Sequence, residues 1–375
     1  MVKGKKAIIL GTGPAQKDAV KYLIQTGWYV IGCSYRHEGP ALPLVNRFEL
    51  IDIRDVRALH SLAVHEGVRF VYSIGSDIAM PVISTISDSL DLPCFVPCET
   101  AELMQNKIKL REYLCSKNVS KMPWRKVSTT QDLEGWSTYP AVIKPACSQG
   151  QRGVFQVFSA EEASRRTDEA ISHSIDGLAI IEKFLDGREM SANLFLVDGN
   201  IRFLIYSNRN ILETVPGGIP MSHDVPSGLS SYDRRKMDAL VLRTVQVLGL
   251  KNGPVYFQLK LTSDGPRLIE VTPRLDGCHL WRLIKMSTGV DLLAATFQLL
   301  IGRGEESLFG TTPLRYTLNF FHGSTGERFS KKTLEIPKNP EFIDFYYHDG
   351  DEIKAVNGRI EKIGYWISRG DPTQS

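Results

Sequence analysis

The segment Gln258-Leu-Lys-Leu-Thr-Ser-Asp-Gly-Pro-Arg-Leu-Ile-Glu270-Val-Thr272-Pro-Arg274 constrains the fold most tightly. Two apolar runs flank an Asp-Gly pair, the signature of a tight turn between antiparallel strands. Such a hairpin sets Gln258 on one strand beside Glu270 on the next. Two oxygen donors on neighbouring strands, with an arginine just beyond, offer a seat for Mg²⁺ and the phosphates it bridges. A surface hairpin with a chance Gln and Glu is the bland alternative, and the other segments weigh against it.

Tyr139-Pro-Ala-Val-Ile-Lys144-Pro145 reads as a short strand ending on a lysine, and Ala-Cys-Ser148-Gln-Gly150-Gln-Arg152-Gly153 follows it. Glycines let backbone N–H groups turn toward an anion, and a lysine adds a point charge. The loop lacks the G-x-x-x-x-G-K-[ST] spacing, so a P-loop nucleotidase is excluded. Upstream, Thr100 to Lys117 reads as one helix capped at Thr100. Leu103, Ile108, Leu110 and Leu114 lie roughly on one face, and Lys107 is able to reach a phosphate. Downstream, Leu178-Ala-Ile-Ile-Glu182-Lys183-Phe184-Leu185 is a strand whose end offers backbone groups to an adenine edge. Glu189 follows, a carboxylate able to accept ribose hydroxyls.

These pieces stand in the order and spacing of a known superfamily. Lys107, Val142-Ile-Lys144-Pro, the Ser/Gly loop, Glu182-Lys-Phe-Leu185, Glu189, Gln258 and Ile269-Glu270-Val-Thr-Pro-Arg274 together resemble the ATP-grasp superfamily. The resemblance is closest to its carbamoyl-phosphate-synthase, biotin-carboxylase and L-amino-acid-ligase branch. It implies that Lys107 and Lys144 bind phosphates beneath a mobile loop of Ser148, Gly150 and Gly153. Glu182, Lys183 and Leu185 would meet adenine, and Glu189 the ribose. Gln258, Glu270 and Thr272 would hold Mg²⁺, with Mn²⁺ as the alternative metal. Arg274, with Lys144, would serve catalysis by orienting an acyl phosphate or the acceptor carboxylate. Two departures stand out: Thr272 replaces the family's usual Asn, and Gln258 its more common Glu. Both weaken the metal donors.

The implied activity is an ATP- and Mg²⁺-dependent carboxylate–amine (or ammonia) ligase that forms an acyl phosphate and releases ADP and phosphate. Its partners would be small-molecule carboxylates and amines, with Arg209, His223, Arg274 and His279 as candidate substrate groups; a homodimer is compatible with this reading. The competing reading is a non-catalytic ATP-binding sensor or assembly module with a degenerate metal site. Cys278 beside His279 suggests a nucleophile, but carboxylate activation needs none.

The N-terminus fits an α/β fold. Lys5-Lys-Ala-Ile-Ile-Leu-Gly11-Thr-Gly13-Pro14 is a parallel-type strand, a glycine turn and a helix from Ala15 to about Gly27; strands at Trp28–Ser34 and Arg69–Gly75 follow. A nicotinamide-binding Rossmann domain is disfavoured: the third glycine is missing, and Cys33-Ser34-Tyr35 supplies no acid for a ribose. The expected organisation is a Rossmann-like domain at 1–98, an ATP-grasp domain at 99–312 with a lid at about 122–185, and a small β-rich subdomain at 313–375. In the last, Leu314–Phe321, Phe342–Tyr347 and Lys362–Ile367 read as strands.

Composition sets limits. The 375 residues support two or three domains, and a net charge of +3 gives no reason to expect nucleic-acid or membrane binding. No run of apolar residues has the length of a membrane span. Six scattered cysteines show no metal or redox spacing, so a cytoplasmic, reduced protein is the default expectation.

Overall fold

Strand β1 (Lys6–Leu10) is apolar along most of its length because both faces are covered: Ala7, Ile8, Ile9 and Leu10 are all fully buried. It leads through a glycine turn into α1 (Pro14–Gln25), then β2 (Tyr29–Ser34), β3 (Arg47–Leu50), α2 (Val56–Glu66), β4 (Phe70–Tyr72) and α3 (Ala79–Ser89). The strands form a parallel sheet in the order β3-β2-β1-β4. Connections leave β1 toward β2 on one side, while β4 lies on the other. That reversal opens a crevice beyond the carboxyl ends of β1 and β4. This computed structural model describes residues 4–148, 150–212, 218–303, 308–356 and 358–370.

The helix expected over Thr100 to Lys117 is two helices, α4 (Cys98–Gln105) and α5 (Lys107–Ser116). Thr100 lies inside α4. Asn106 makes the break: in an extended conformation, its side-chain oxygen accepts from the N–H groups of Ile108 and Lys109 and so caps α5. Lys107 therefore opens a helix instead of sitting mid-helix, and its N–H reaches across to the Ala146 carbonyl at 2.9 Å.

A second, antiparallel sheet runs β5-β8-β6-β7, built from β5 (Trp124–Val127), β6 (Ala141–Pro145), β7 (Phe155–Val157) and β8 (Ala179–Lys183), with α6 (Ala160–Ser172) between β7 and β8. It has an apolar core of its own, including Val127, Ile143, Ala163 and Ile181.

The third sheet carries eight antiparallel strands in the order β13-β12-β9-β10-β11-β14-β16-β15. Its strands are β9 (Arg188–Val197), β10 (Asn200–Leu212), β11 (Ile219–Val225), β12 (Gly253–Thr262), β13 (Gly265–Thr272), β14 (Tyr316–Ser324), β15 (Phe342–Phe345) and β16 (Ile360–Arg369). Helices α7 (Ser231–Val247), α8 (Leu280–Thr288) and α9 (Leu292–Leu300) complete the chain. The β-rich C-terminal strands extend this sheet and add a satellite cluster of Phe321, Phe329, Ile353 and Ile363. The opening hairpin forms as its Asp-Gly turn requires, with Gln258 directly opposite Glu270. Among the described residues no single helix is long and apolar enough to cross a membrane.

Candidate active site

A cavity of about 1700 Å³ lies where the three sheets meet, lined by the β1 and β4 loops, the small sheet, the hairpin and the β15–β16 connection. Three knots of charge face it.

The first knot is buried under the small sheet. Glu182, near the end of β8, lies between Lys144 on β6, at 2.5 Å, and Arg111 on α5. Burial works to raise the Glu182 pKa, but Arg111 and Lys144 more than offset it and hold the carboxyl at about 2. Burial pulls the Lys144 ammonium below its ordinary range. Lys107 adds a third cation, its Nζ donating to the Ser148 carbonyl at 3.3 Å. One carboxylate thus faces three cations, and Arg111 Nη1 is buried without a partner. A buried surplus of positive charge is costly unless an anion supplies the balance.

The second knot lies on the large sheet. Glu189 on β9 pairs with Arg209 on β10 and, at 3.7 Å, with Lys260 on β12. Gln258 Nε2 reaches the same carboxylate at 3.4 Å. The third knot joins the domains: Arg274, beyond β13, grips Asp77 from the β4–α3 loop, at 2.8 Å from Nε and 2.5 Å from Nη2. Arg274 Nη1 also donates to the Leu275 carbonyl at 3.0 Å.

The Gln258–Glu270 pair lines the same cavity. Mg²⁺ keeps several waters and asks a protein for only one or two oxygens, phosphates completing the shell. A carboxylate opposite an amide, next to surplus cations, fits that need. No group of three His, Cys, Asp or Glu side chains among the described residues forms a closed metal cage.

Residues 137–280 match the ATP-grasp domain family, the span that holds Lys144, Glu182, the hairpin and Arg274. Those residues are an ATP-grasp domain. It is 26% identical over 216 residues to dapdiamide A synthase of Enterobacter agglomerans, covering 54% of this chain and 50% of that protein. It is 32% identical over 123 residues to carnosine synthase 1 of Homo sapiens, covering 33% of this chain and 15% of that protein. The chain thus spans half or less of the length of these relatives. Its fold matches an L-amino acid ligase from Bacillus licheniformis with a TM-score of 0.82 at 20% identity, covering 98% of this chain and 94% of that one.

Of the residues expected in this ATP-grasp site, Lys107, Lys144, Ser148, Gly150, Glu182, Lys183, Leu185, Glu189, Arg209, Gln258, Glu270 and Arg274 all line the one cavity. Their engagements differ from expectation in several cases. Glu182 has its carboxylate engaged by Arg111 and Lys144, and its backbone lies in β8 between β5 and β6. The Lys183 N–H is taken by the Pro123 carbonyl at 3.0 Å. Glu189 is bound to Arg209 and Lys260 on the sheet, beside Gln258. Gly153 does not line the cavity; a Cβ there would stand 2.9 Å from His173 Cδ2 and 3.0 Å from Pro145 Cγ, at φ +71°. That glycine is required by packing. Gln149 of the same loop lies outside the described residues.

Three further expected residues lie off the cavity wall. Thr272 is 3% exposed and off the cavity wall, its hydroxyl without a partner. His223 is on strand β11, opposite Arg209; the preceding residues 213–217 lie outside the described residues. It is fully buried, and burial, with Arg209 and Lys362 nearby, holds its pKa well below the usual range. His279 stacks on Tyr365 at 4.2 Å, meets Tyr346 Oη at 2.8 Å and faces Asp18 of α1 at 3.6 Å. It belongs to the joint between α1 and the large sheet.

Arg111, Asp77 and Lys260 were not expected. Two had a signal: Arg111 stands four residues after Lys107 on the same helix, and Lys260 two after Gln258 on the same strand face. Asp77 had none, because its partner Arg274 is 197 residues away.

Proposed function

We propose that this protein is a carboxylate–amine ligase working through an acyl phosphate. The observation that carries the reading is the placement, on one cavity, of the Lys107–Lys144–Arg111 surplus beside the Gln258–Glu270 pair. ATP and Mg²⁺ are the usual cofactors of the family.

The reaction must bring a carboxylate against a triphosphate. Two unit charges about 4 Å apart repel by roughly 4 kcal/mol at an effective dielectric near 20. Lys107, Lys144 and Arg111 would hold the phosphates and absorb the charge spread over the transferring phosphoryl group. Gln258 and Glu270 would hold Mg²⁺, which neutralises phosphate charge when bound. Arg274, fixed by Asp77, would orient the carboxylate. A carboxylate oxygen then attacks the γ-phosphorus, the bond to the β-phosphate oxygen breaks, and ADP departs. The amine attacks the acyl carbon, loses a proton, and phosphate leaves. No side-chain nucleophile is needed; positioning carries much of the rate. The small sheet with its Ser148–Gly153 loop would exclude water, and Gln151 Nε2 already bridges to the Gly218 carbonyl at 2.7 Å.

A reducing, cytoplasmic location is part of this reading. Small-molecule acids and amines are the partners this cavity suits, with a homodimer as the assembly to check by light scattering. The test of function is ADP release with Mg²⁺ and ATP across amino, hydroxy and sugar acids, with and without amines. Lys144→Ala is the blank. Stimulation by one acid, lost in the blank, is the expected result. Equal release in the blank, or silence across the whole panel, overturns the reading.

A further inference from the structure

Lys362, on the last strand of the large sheet, lines the same cavity. Its Nζ lies 3.3 Å from the Cys278 thiol and 4.8 Å from the centre of the Phe320 ring. No carboxylate pairs with it among the described residues. The acids nearby are committed elsewhere: Asp276 accepts from the N–H groups of Cys278 and Leu280, and Glu361 from those of Val356 and Gly358. Asp18 holds Arg282, and Asp344 holds Lys17.

The surroundings sharpen the imbalance. Three histidines, His223, His279 and His322, stand near this ammonium, and each has its pKa lowered by burial first and by Lys362 in part. Arg209 is close enough to act on His223 as well. The region therefore holds a half-buried lysine among neutral rings, with a thiol and an aromatic face but no counter-ion. An ammonium so placed is satisfied best by an anion arriving with the substrate.

We infer that Lys362 seats a second carboxylate of the substrate pair, one that does not react. This rests on the ligase reading only for the identity of the reacting carboxylate. The second carboxylate has two sources, an acid donor with two carboxyl groups or an amine acceptor that is itself an amino acid. The chemistry at Lys362 is the same for both.

Cys278 serves as a reporter independent of turnover. The full chain, with MgADP bound, is alkylated by iodoacetamide, and the Cys278 peptide is followed by mass spectrometry. One arm adds dicarboxylates from malonate to adipate; the other adds glycine, alanine or phenylalanine. The neutral diamides and the decarboxylated amines are the controls. The expected result is roughly tenfold slower alkylation with one arm, none with its neutral analogue, and loss of protection in Lys362→Met. The protecting arm names the source. In steady state, Lys362→Met then raises KM for that ligand by about ten- to a hundredfold with little change in kcat, and Lys362→Arg restores much of it. Absence of protection in both arms overturns the inference, as does equal protection in Lys362→Met. Protection without any ADP release leaves the Lys362 site standing and removes the ligase reading.

Discussion

Gln258 and Glu270 face each other in register across the β12–β13 hairpin, and a bulge immediately after Gln258 shifts the rest of the ladder. The bulge matters because a one-residue slip turns every later side chain to the opposite face. Gln258 pairs with Ser191 on its other side, which brings β9 and Glu189 alongside. The proposed metal seat thus offers one carboxylate and one amide, with a second carboxylate near but already held by Arg209 and Lys260.

Glu270→Ala is expected to lower ADP release by at least about a hundredfold, the usual cost of losing a group that stabilises transition-state charge. Nucleotide binding should survive in part, since the lysines remain. Gln258→Glu is the informative partner, because it adds a carboxylate where most family members have one. A Mg²⁺ titration of ADP release should show a lower half-saturating concentration in Gln258→Glu. An unchanged Mg²⁺ requirement in both variants would sink the assignment.

Glu182 anchors the buried cation knot, so Glu182→Gln leaves Arg111 and Lys144 without a counter-ion. The expected loss is on the order of 3–5 kcal/mol, because breaking a buried pair strands its partners. Its pH dependence has a definite sign. The folded carboxyl is depressed from 4.5 to about 2, so the folded protein binds fewer protons than the unfolded chain across that interval. The stabilisation is fully present above about pH 4.5 and drains away as the pH falls toward 2. In thermal melts, the gap in Tm between wild type and Glu182→Gln should narrow across that window. A gap that stays constant down to pH 2 would show that Glu182 is not ionised in the fold.

What the sequence made legible is local or periodic. The hairpin could be read because two apolar runs and an Asp-Gly turn leave little choice of register. Lys144 could be placed because a strand ending in Lys-Pro fixes where the lysine sits. The helix break at Asn106 was harder, since its evidence is one side chain capping the next helix while the apolar period runs straight through. His223 and His279 looked like site residues by chemical type, but burial is decided by neighbours such as Phe320 and Tyr365 from distant strands. Asp77 was invisible for the same reason: nothing in the β4–α3 loop marks it until the fold brings Arg274 to it.

That contact is testable in its own right. Asp77→Asn keeps a similar shape but removes the charge that fixes the Arg274 guanidinium, so Arg274 should lose orientation while the protein stays folded. We expect roughly a tenfold fall in kcat/KM for the carboxylate, about the value of a charged hydrogen bond, with the KM for ATP nearly unchanged. Arg274→Lys should cost more, because an ammonium cannot reproduce the guanidinium's fork. A rise in the KM for ATP alone would move Arg274 from the acid to the nucleotide.

Gly153 separates a packing role from a phosphate role in the loop above the lysines. Its φ of +71° and the 2.9–3.0 Å approach of His173 and Pro145 leave no room for a methyl group. Gly153→Ala should therefore destabilise the small sheet by about 1–3 kcal/mol, strain at positive φ and overpacking acting together. Gly150 is exposed and in the cavity wall at φ +75°, where an alanine meets the conformational cost of a positive φ. The two alanine variants should thus part ways. Gly153→Ala should lower protection of the β6 and β8 amides in hydrogen exchange, whereas Gly150→Ala should leave that protection near wild type and raise the KM for ATP. If Gly150→Ala loosened the sheet as much as Gly153→Ala, the loop would be a single structural unit, and neither glycine could be assigned to the nucleotide.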